Sequence, residues 1–226
     1  MGLALLLVGL AADPSPVLVE LFSSEGCSSC PAAEALLREK SIEDPSLLVL
    51  EFHVDYWNGL GWKDRFSSSG FTDRQSGYAA LRGSGQVFTP EAIVDGRASI
   101  VGSDAEALDR ALSREKRVPP TPLRVRMDDG RIEIDGDATP AGRLWIAATE
   151  SGLETTPPRG ENRGRRIAHA PVVRSFKDLG TVAAGELHRK VQVSIDPGWK
   201  RGAMRFVIAV QDPGTGGILA LGATSP

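Results

Sequence analysis

The only two cysteines of the chain stand three residues apart, in the segment Cys27-Ser28-Ser29-Cys30. Residues 17–22 before them have the apolar pattern of a buried strand, and residues 31–38, which begin with a proline, have the pattern of a helix. Both thiols would then lie at a helix N-terminus, where free amides and the helix dipole stabilise a thiolate. The spacing predicts a redox-active pair, in which Cys27 attacks a disulfide and Cys30 resolves the mixed disulfide.

Two other interpretations of the pair stay open. A metal ion would need further ligands, because structural zinc usually takes four from cysteine and histidine. Soft thiolates with an imidazole suit copper, so Cys27, Cys30 and His53 form an alternative metal set. A permanent structural disulfide would close a very short loop and would therefore add little stability.

The composition limits the partners that can be expected. The 226 residues carry a net charge of −3, and the charges are mixed along the chain, which gives no indication of a nucleic-acid partner. The sequence contains neither a G-x-G-x-x-G motif nor a P-loop, so no cofactor is predicted. The 25 glycines and 15 prolines favour a protein rich in turns and strands.

The N-terminal segment 1–16 has the features of an export signal. Residues 1–12 are continuously apolar, and Ala11 and Ala12 would suit a cleavage site. The usual basic start is missing, since the first Lys or Arg is Arg38, and a buried N-terminal strand is the alternative. We predict a periplasmic or secreted protein, in a compartment where disulfides persist. No other apolar run approaches membrane-spanning length, so no integral membrane segment is expected.

The pattern between residues 17 and 118 alternates strands and helices. A second apolar strand at 47–55 completes a strand-helix-strand unit with parallel strands. An irregular insertion is expected at 56–76, a helix at 73–82, and a hairpin around the Asp95-Gly96 turn that continues into residues 98–101. A further helix is predicted at 103–117, with Ser103 as its N-cap.

A stiff connector divides the chain. Three prolines fall within residues 119–122. After it come short alternating segments: a hairpin at 123–135 and strands at 143–149, 170–176, 187–195 and 204–211. We therefore predict an α/β domain at 17–118 followed by a β-rich, antiparallel sandwich domain at 119–226.

The first half resembles the thioredoxin-like fold. Cysteines at a helix start, a second parallel strand and then Thr89-Pro90 before a hairpin follow in the order of that superfamily. The resemblance implies that the peptide bond before Pro90 is cis, and that Thr89 and Pro90 shape a substrate-binding groove opposite the cysteines. Trp57 is a candidate to line the same groove.

Four segments, 19–34, 87–90, 94–97 and 159–165, are similar to those of DUF1223, a bacterial exported family of unknown function. This resemblance implies a thioredoxin-like domain joined to a β-rich domain, and it supplies no substrate. The chain departs from thioredoxin itself in its central Ser-Ser dipeptide. Glu20 is also one residue off the register of the buried aspartate of thioredoxin, which predicts that its side chain faces away from the cysteines.

Other polar residues are weaker candidates. Glu51, His53 and Asp55 alternate on the second strand and would share one side, so His53 is either a proton donor or ligand near the thiols, or a hydrogen-bonded structural histidine. The basic segment 162–166 is expected to be a solvated loop, with docking to an acidic partner or to the other domain as the alternative. His169 and His188 belong to no motif.

The function predicted from these residues is that of a cell-envelope thiol-disulfide oxidoreductase. Its partner would be a protein thiol or disulfide, and Cys27 and Cys30 would carry the reaction. The alternatives are a copper-binding or metallochaperone protein that uses the same cysteines with His53, and a non-catalytic binding module.

Overall fold

A computed structural model describes residues 16–226, so the predicted N-terminal signal lies almost entirely outside the described residues. The helices are α1 (Cys30–Glu43), α2 (Ser69–Leu81) and α3 (Ala105–Glu115). The strands in the first half are β1 (Val17–Ser23), β2 (Leu47–His53), β3 (Glu91–Val94) and β4 (Ala98–Val101). Those in the second half are β5 (Thr121–Pro122), β6 (Arg124–Asp128), β7 (Arg131–Asp137), β8 (Gly142–Glu150), β9 (Glu154–Thr155), β10 (Ile167–Ala168), β11 (Val172–Val182), β12 (Glu186–Gln192), β13 (Met204–Gln211) and β14 (Ile218–Thr224).

One nine-stranded sheet holds strands from both halves of the chain, in the order β4-β3-β1-β2-β11-β8-β13-β14-β5. Strands β1 and β2 are parallel, and β3 is antiparallel to β1. The halves join where Val172 of β11 pairs with Glu51 of β2, and the amide of Glu51 donates to the carbonyl of Pro171 at 2.9 Å. A smaller sheet, β12-β7-β6, and the pair β9-β10 complete the fold.

Strand alternation gives β1 and β2 two different faces. Val19 and Val49 pack with Leu37 of α1 on one face. Leu18 and Leu50 pack with Tyr78 of α2 on the other. Because side chains alternate along a strand, Ser23, Glu51 and His53 fall on the α1 face, and Glu20 falls on the α2 face. This placement of Glu20 agrees with its predicted direction.

A third core lies between the two larger sheets. Leu144 and Phe206 of the nine-stranded sheet pack with Ile132 and Ile134 of β7, and all four side chains are buried. Burial of two apolar sheet faces against each other is a main source of stability in strand-rich proteins. The division into two domains at residue 118 stays a prediction. The nine-stranded sheet contains strands from both sides of this position.

Several element predictions needed correction. Helix α2 begins at Ser69, inside the segment expected to be irregular, because the Ser68 hydroxyl accepts a hydrogen bond from the amide of Gly70 at 3.2 Å. The N-cap of α3 is Asp104 rather than Ser103, and its carboxylate accepts from the amide of Ala107 at 2.9 Å. Strand β14 was not predicted. Among residues 16–226, none of the helices has the length and hydropathy needed to cross a bilayer.

Candidate functional site

The two cysteines form a disulfide at the start of α1. Their Cα atoms are 5.4 Å apart, and Cys30 is the first residue of the helix. The turn before it is closed by hydrogen bonds from the amide of Cys27 to the carbonyl of Ser24 and from the amide of Cys30 to the carbonyl of Cys27. Cys27 is 1% exposed and Cys30 is fully buried, so a reactant would need the surrounding residues to move.

A loop from the second half, residues 156–166, covers this turn. The side-chain amide of Asn162 donates to the carbonyls of Glu25 and Cys27 at 2.9 and 2.8 Å. Glu161 accepts from the amide of Ser28 at 3.1 Å. The expectation of a solvated loop was therefore wrong for Asn162, which is buried, because its short amide side chain satisfies backbone carbonyls that would otherwise be orphaned.

The residues expected to form a groove lie together beside the disulfide turn. The peptide bond between Thr89 and Pro90 is cis. The indole N–H of Trp57 donates to the hydroxyl of Thr89 at 2.9 Å. A Cβ on Gly26 would lie 3.2 Å from the Cβ of Trp57, so Trp57 packs directly against the turn that precedes Cys27. Their role in substrate binding stays a prediction.

A buried cluster of carboxyls and imidazoles lies on the α1 face, next to this turn. We call it the carboxyl–imidazole cluster. Glu25 is two residues before Cys27, and Glu34 is one helical turn after Cys30, so both ends of the disulfide turn lead into it. Each side chain of the cluster is at most 2% exposed. The members are Glu25, Glu34, Glu51, His53, Asp64 and His169.

His53 is held by carboxylates on both sides. Its Nδ1 lies 2.6 Å from Oδ2 of Asp64, and because a carboxylate only accepts, Nδ1 carries a proton. Its Nε2 lies 2.8 Å from Oε1 of Glu51 without the alignment of a hydrogen bond. Burial alone would lower the pKa of His53, but the charges of Asp64 and Glu51 outweigh it and hold that pKa well above its usual value.

His169 enters the cluster from the segment between β10 and β11. Its Nδ1 lies 2.9 Å from Oε2 of Glu34 and 3.3 Å from Oε1 of Glu51. Its Nε2 lies 2.8 Å from the hydroxyl of Thr155. Although burial opposes it, the nearby carboxyls of Glu34 and Glu51 raise the pKa of His169 to about 9.

The pKa values of the carboxyls in the cluster are shifted in opposite directions. Burial, reinforced by the negative charge of Glu51, raises the pKa of Glu34. Burial would also raise the pKa of Glu51, but the positive charge of His53 and the hydrogen bond from His169 lower it to about 2. The pKa of Asp64 is lowered by His53 against the effect of burial. Such a spread among neighbouring carboxyls is typical of functional sites.

Aromatic side chains close the cluster from outside. The ring of Phe66 lies edge-on to both imidazoles, with centroids 5.2 Å from His53 and 5.5 Å from His169. The indole N–H of Trp62 donates to Oε2 of Glu25 at 2.5 Å. These contacts exclude solvent from the imidazoles and carboxyls.

The sequence pattern predicts part of this cluster and leaves the rest unassigned. Glu51 and His53 share a side as expected, but Asp55 is not a member, since its carboxylate accepts instead from the hydroxyl of Thr72 at 2.6 Å. His169 had been assigned to no motif, and its 118-position separation from Glu51 leaves no local signal. The Glu34 position, four residues after Cys30, was a usable signal because it places the carboxyl one turn below the thiol.

The structure also groups possible metal ligands. Glu51, His53 and His169 each offer one ligand atom, and these atoms lie within 4.8 Å of one another. The predicted alternative of Cys27, Cys30 and His53 stays a prediction. In the structure, His53 is grouped instead with a carboxylate oxygen of Glu51 and an imidazole nitrogen of His169.

Comparisons with known proteins give a family and a fold. The model of a family described as a protein of unknown function, DUF1223, matches residues 18–211. A crystal structure of a protein from Agrobacterium tumefaciens is 26% identical, with a TM-score of 0.73 over 95% of each chain. HBP35 of Porphyromonas gingivalis is 16% identical, with a TM-score of 0.68 over 95% of this chain and 76% of that one, which is a likeness of fold alone. None of the curated proteins matches the chain.

Proposed function

Because this chain belongs to the DUF1223 family, whose function is unknown, we propose its function from the site itself: thiol-disulfide exchange with a protein partner in the cell envelope. The observation that carries the proposal is the Cys27–Cys30 disulfide at the first residue of α1. The amides of a helix N-terminus favour the thiolate that leaves when such a disulfide is opened.

The reaction balances without a cofactor. A thiolate of the partner attacks the sulfur of Cys27, the Cys27–Cys30 bond breaks, and Cys30 leaves as a thiolate. A second thiol of the partner then attacks the mixed disulfide, and Cys27 leaves. Two electrons pass from the partner dithiol to the cysteine pair, and the reverse sequence reduces a partner disulfide.

The element order of the first half supports a thioredoxin-like assignment, which is part of the proposal. Strands and helices follow as β1-α1-β2-α2-β3-β4-α3, with the sheet order β4-β3-β1-β2 and α1 and α3 on the face opposite α2. In this arrangement Thr89 and Pro90 would offer backbone to an extended partner segment, with Trp57 beside them.

The buried disulfide adds a condition to this proposal. Asn162 and Glu161 tie the 156–166 loop to the turn that carries the cysteines. Exchange therefore requires that this loop move away before a thiolate can approach Cys27. A partner that displaces the loop would gain access that a small thiol lacks.

The direct test is the reduction potential of the cysteine pair, measured in glutathione buffers by mass spectrometry of alkylated protein. A potential between about −120 and −270 mV, the range of known exchange proteins, is expected. A value below about −300 mV would identify an inert structural bond and overturn the proposal.

A trapping experiment then identifies the attacked sulfur. The Cys30→Ser variant should retain a mixed disulfide at Cys27 when mixed with an envelope extract, because the resolving thiol is gone. The matched Cys27→Ser variant should retain none. Equal trapping by both variants would contradict the assigned roles. Fractionation of the native host should place the protein in the envelope.

A further inference from the structure

We propose that Glu34, Glu51, His53 and His169 bind one divalent transition-metal ion, with Zn²⁺ as the reference ion, and that the cysteines take no part in binding it. This site goes beyond the proposed exchange function, and either can fail without the other. It rests on four observations about the carboxyl–imidazole cluster: atom spacing, unpartnered atoms, outer hydrogen bonds and charge.

The spacing of the atoms suits a first-row metal ion. Oε1 of Glu51 lies 2.8 Å from Nε2 of His53 and 3.3 Å from Nδ1 of His169, and that Nδ1 lies 2.9 Å from Oε2 of Glu34. Ligand atoms bound tetrahedrally at about 2.0–2.1 Å are separated by about 3.3 Å. The ligand atoms of Glu51, His53 and His169 lie within 4.8 Å of one another, so small side-chain adjustments would bring them to one ion, with Oε2 of Glu34 beside His169 as the fourth ligand.

Unpartnered polar atoms point to a missing positive charge. Within residues 16–226, four fully buried atoms of the cluster have no hydrogen-bond partner: Oε1 of Glu25, Oε2 of Glu34, Oε2 of Glu51 and Nε2 of His53. Buried polar atoms are rarely left unsatisfied, because each costs about 1–3 kcal/mol. A cation bound by Glu34 and His53 would satisfy two of them at once, Oε2 of Glu34 and Nε2 of His53.

The outer hydrogen bonds of the two imidazoles are those expected around a metal ion. Ligating histidines usually donate their second ring N–H to a carboxylate or another oxygen, which fixes the tautomer. Nδ1 of His53 donates to Asp64, and this leaves Nε2 directed at Glu51. Nε2 of His169 lies 2.8 Å from the hydroxyl of Thr155, so Nδ1 is available toward Glu34 and Glu51.

The outer shell around the carboxyls is equally fixed. The hydroxyl of Ser23 donates to Oε1 of Glu34 at 2.5 Å, so Oε2 is the oxygen left for an ion. Asp64 also accepts from the amides of Glu25 and Phe66, each at 2.8 Å, and these bonds hold it in place behind His53. The Glu34 carboxyl and both imidazoles are therefore oriented before any ion arrives.

The charge of the cluster is compatible with a dication. Its four carboxyls and two imidazoles leave negative charge over even when both imidazoles are protonated. A dication with two neutral imidazoles supplies the same two positive charges, so it can take the place of the two imidazole protons. Imidazole and carboxylate together suit zinc, iron or manganese, whereas copper(I) favours the sulfur ligands that this set excludes.

The first experiment uses the oxidised full-length protein. The cluster is closed, so an ion should enter most readily during folding. Protein unfolded in guanidinium with a chelator, then refolded with and without Zn²⁺, should bind one zinc per chain by elemental analysis after desalting, and should melt at a higher temperature than the zinc-free sample. Zinc content near zero with an unchanged melting temperature would overturn the proposal, and the unpartnered atoms would then be satisfied by protons and water.

Variants locate the site. His169→Ala and Glu51→Gln should each weaken zinc binding at least tenfold. His188→Ala is the matched control, because it removes the remaining histidine, an exposed one that pairs with Asp135, and should leave zinc binding unchanged. Binding that survives His169→Ala, or that is lost in His188→Ala, would contradict the assignment.

A spectrum of the unmodified chain keeps the test independent of variant folding. Co²⁺ introduced by the same refolding should give the visible bands of a site with nitrogen and oxygen ligands, without an intense near-ultraviolet thiolate-to-cobalt band. That band, if it appeared on reduction of the disulfide, would assign the ion to Cys27 and Cys30 instead. The measured reduction potential of the pair is a separate result, so failure of either proposal can be recognised on its own.

Discussion

Two buried charged clusters lie on opposite faces of the same two strands, and they differ in how completely their charges are matched. On the α2 face, Arg74 donates from Nε and Nη2 to both oxygens of Glu20, at 2.5 and 2.8 Å. Tyr78 donates to the same carboxylate at 2.5 Å, and Gln211 donates to the hydroxyl of Tyr78 at 2.8 Å. On the α1 face, the carboxyl–imidazole cluster has more carboxyls than imidazoles and keeps unpartnered atoms.

The difference separates a structural ion pair from a candidate site. Arg74 also lies over aromatic rings, 4.5 Å from the centroid of Phe176 and 4.9 Å from that of Trp145, so its charge is fully used inside the protein. The carboxyl–imidazole cluster, in contrast, contains no Lys or Arg, and its positive charge depends on the protonation of His53 and His169. The fully paired charge of Arg74 has a structural role. Buried ionisable groups with perturbed pKa values, such as those of the carboxyl–imidazole cluster, occur often at functional sites.

The largest effect is expected from Arg74→Ala. It would leave the Glu20 carboxylate buried without its cation, so we expect unfolding free energy to fall by about 3–5 kcal/mol, measured by denaturant titration. Arg143→Ala is the control, because Arg143 and its partner Asp178 are about half exposed, and a loss under about 1 kcal/mol is expected there. Equal losses in both variants would remove the distinction between the clusters.

Asp95 provides a test of a carboxyl outside both clusters. Burial raises the pKa of Asp95 to about 6, above its ordinary value of 3.8, and its Oδ2 has no hydrogen-bond partner in the described chain. A carboxyl raised in this way favours the folded state most at low pH, and that contribution is lost as the pH rises through 6. Asp95→Asn should therefore gain stability relative to the natural chain between pH 4 and pH 8, by up to about 3 kcal/mol.

An asparagine side chain is compatible with this position, because Asp95 has a φ of 45° and accepts from the amide of Leu18 through Oδ1. Denaturant titrations at several pH values would give the difference. A difference that does not vary with pH would show that Asp95 titrates normally and that an unpartnered carboxyl oxygen need not carry a cost.

Asn162→Ala tests the covering of the disulfide next to the carboxyl–imidazole cluster. The carbonyls of Glu25 and Cys27 would lose a donor, at a cost of about 1–3 kcal/mol. We expect reduction by dithiothreitol, followed by alkylation and mass spectrometry, to become several-fold faster. Arg163→Ala changes an exposed residue of the same loop and should react at the original rate. Identical rates for all three proteins would mean that the loop does not limit access.

The smallest effect is expected from Glu34→Gln in zinc-free protein. Burial already raises the pKa of Glu34, so a neutral amide of the same shape should change unfolding free energy by no more than about 1 kcal/mol. After refolding with Zn²⁺, the natural chain should gain thermal stability that the variant lacks. A loss above about 3 kcal/mol without metal would instead make Glu34 a required charged partner, as Glu20 is for Arg74.

Local patterns in the sequence predicted the elements that position the site, but not the partners that complete it. Strand β1, the start of α1 and strand β2 follow from apolar runs and a proline in the first helical turn. Alternation along β2 also placed Glu51 and His53 on one side. These inferences depend on residues within a few positions of each other, where backbone geometry alone fixes direction.

Partners supplied from far along the chain left no such pattern. Asn162 reaches the carbonyl of Cys27 across 135 positions, and His169 reaches Glu51 across 118. A lone asparagine and a lone histidine have no periodicity, so only the pairing of β2 with β11 identifies their neighbours. The covering loop and the second imidazole could therefore not be predicted from the sequence alone.

The pairing of β2 with β11 has a consequence for how this chain can be divided or recombined. A fragment ending at residue 118 would keep both cysteines, yet it would lack His169 and Asn162. It would also expose the edge of β2, and unpaired strand edges promote aggregation. A chimera between relatives would have to exchange residues 17–66 together with residues 154–173, because Asp64 holds His53 and Phe66 covers both imidazoles. The turn at residues 129–130 of the smaller β12-β7-β6 sheet contributes no side chain to the cluster and lies outside the third core, so it is the natural place for an inserted tag.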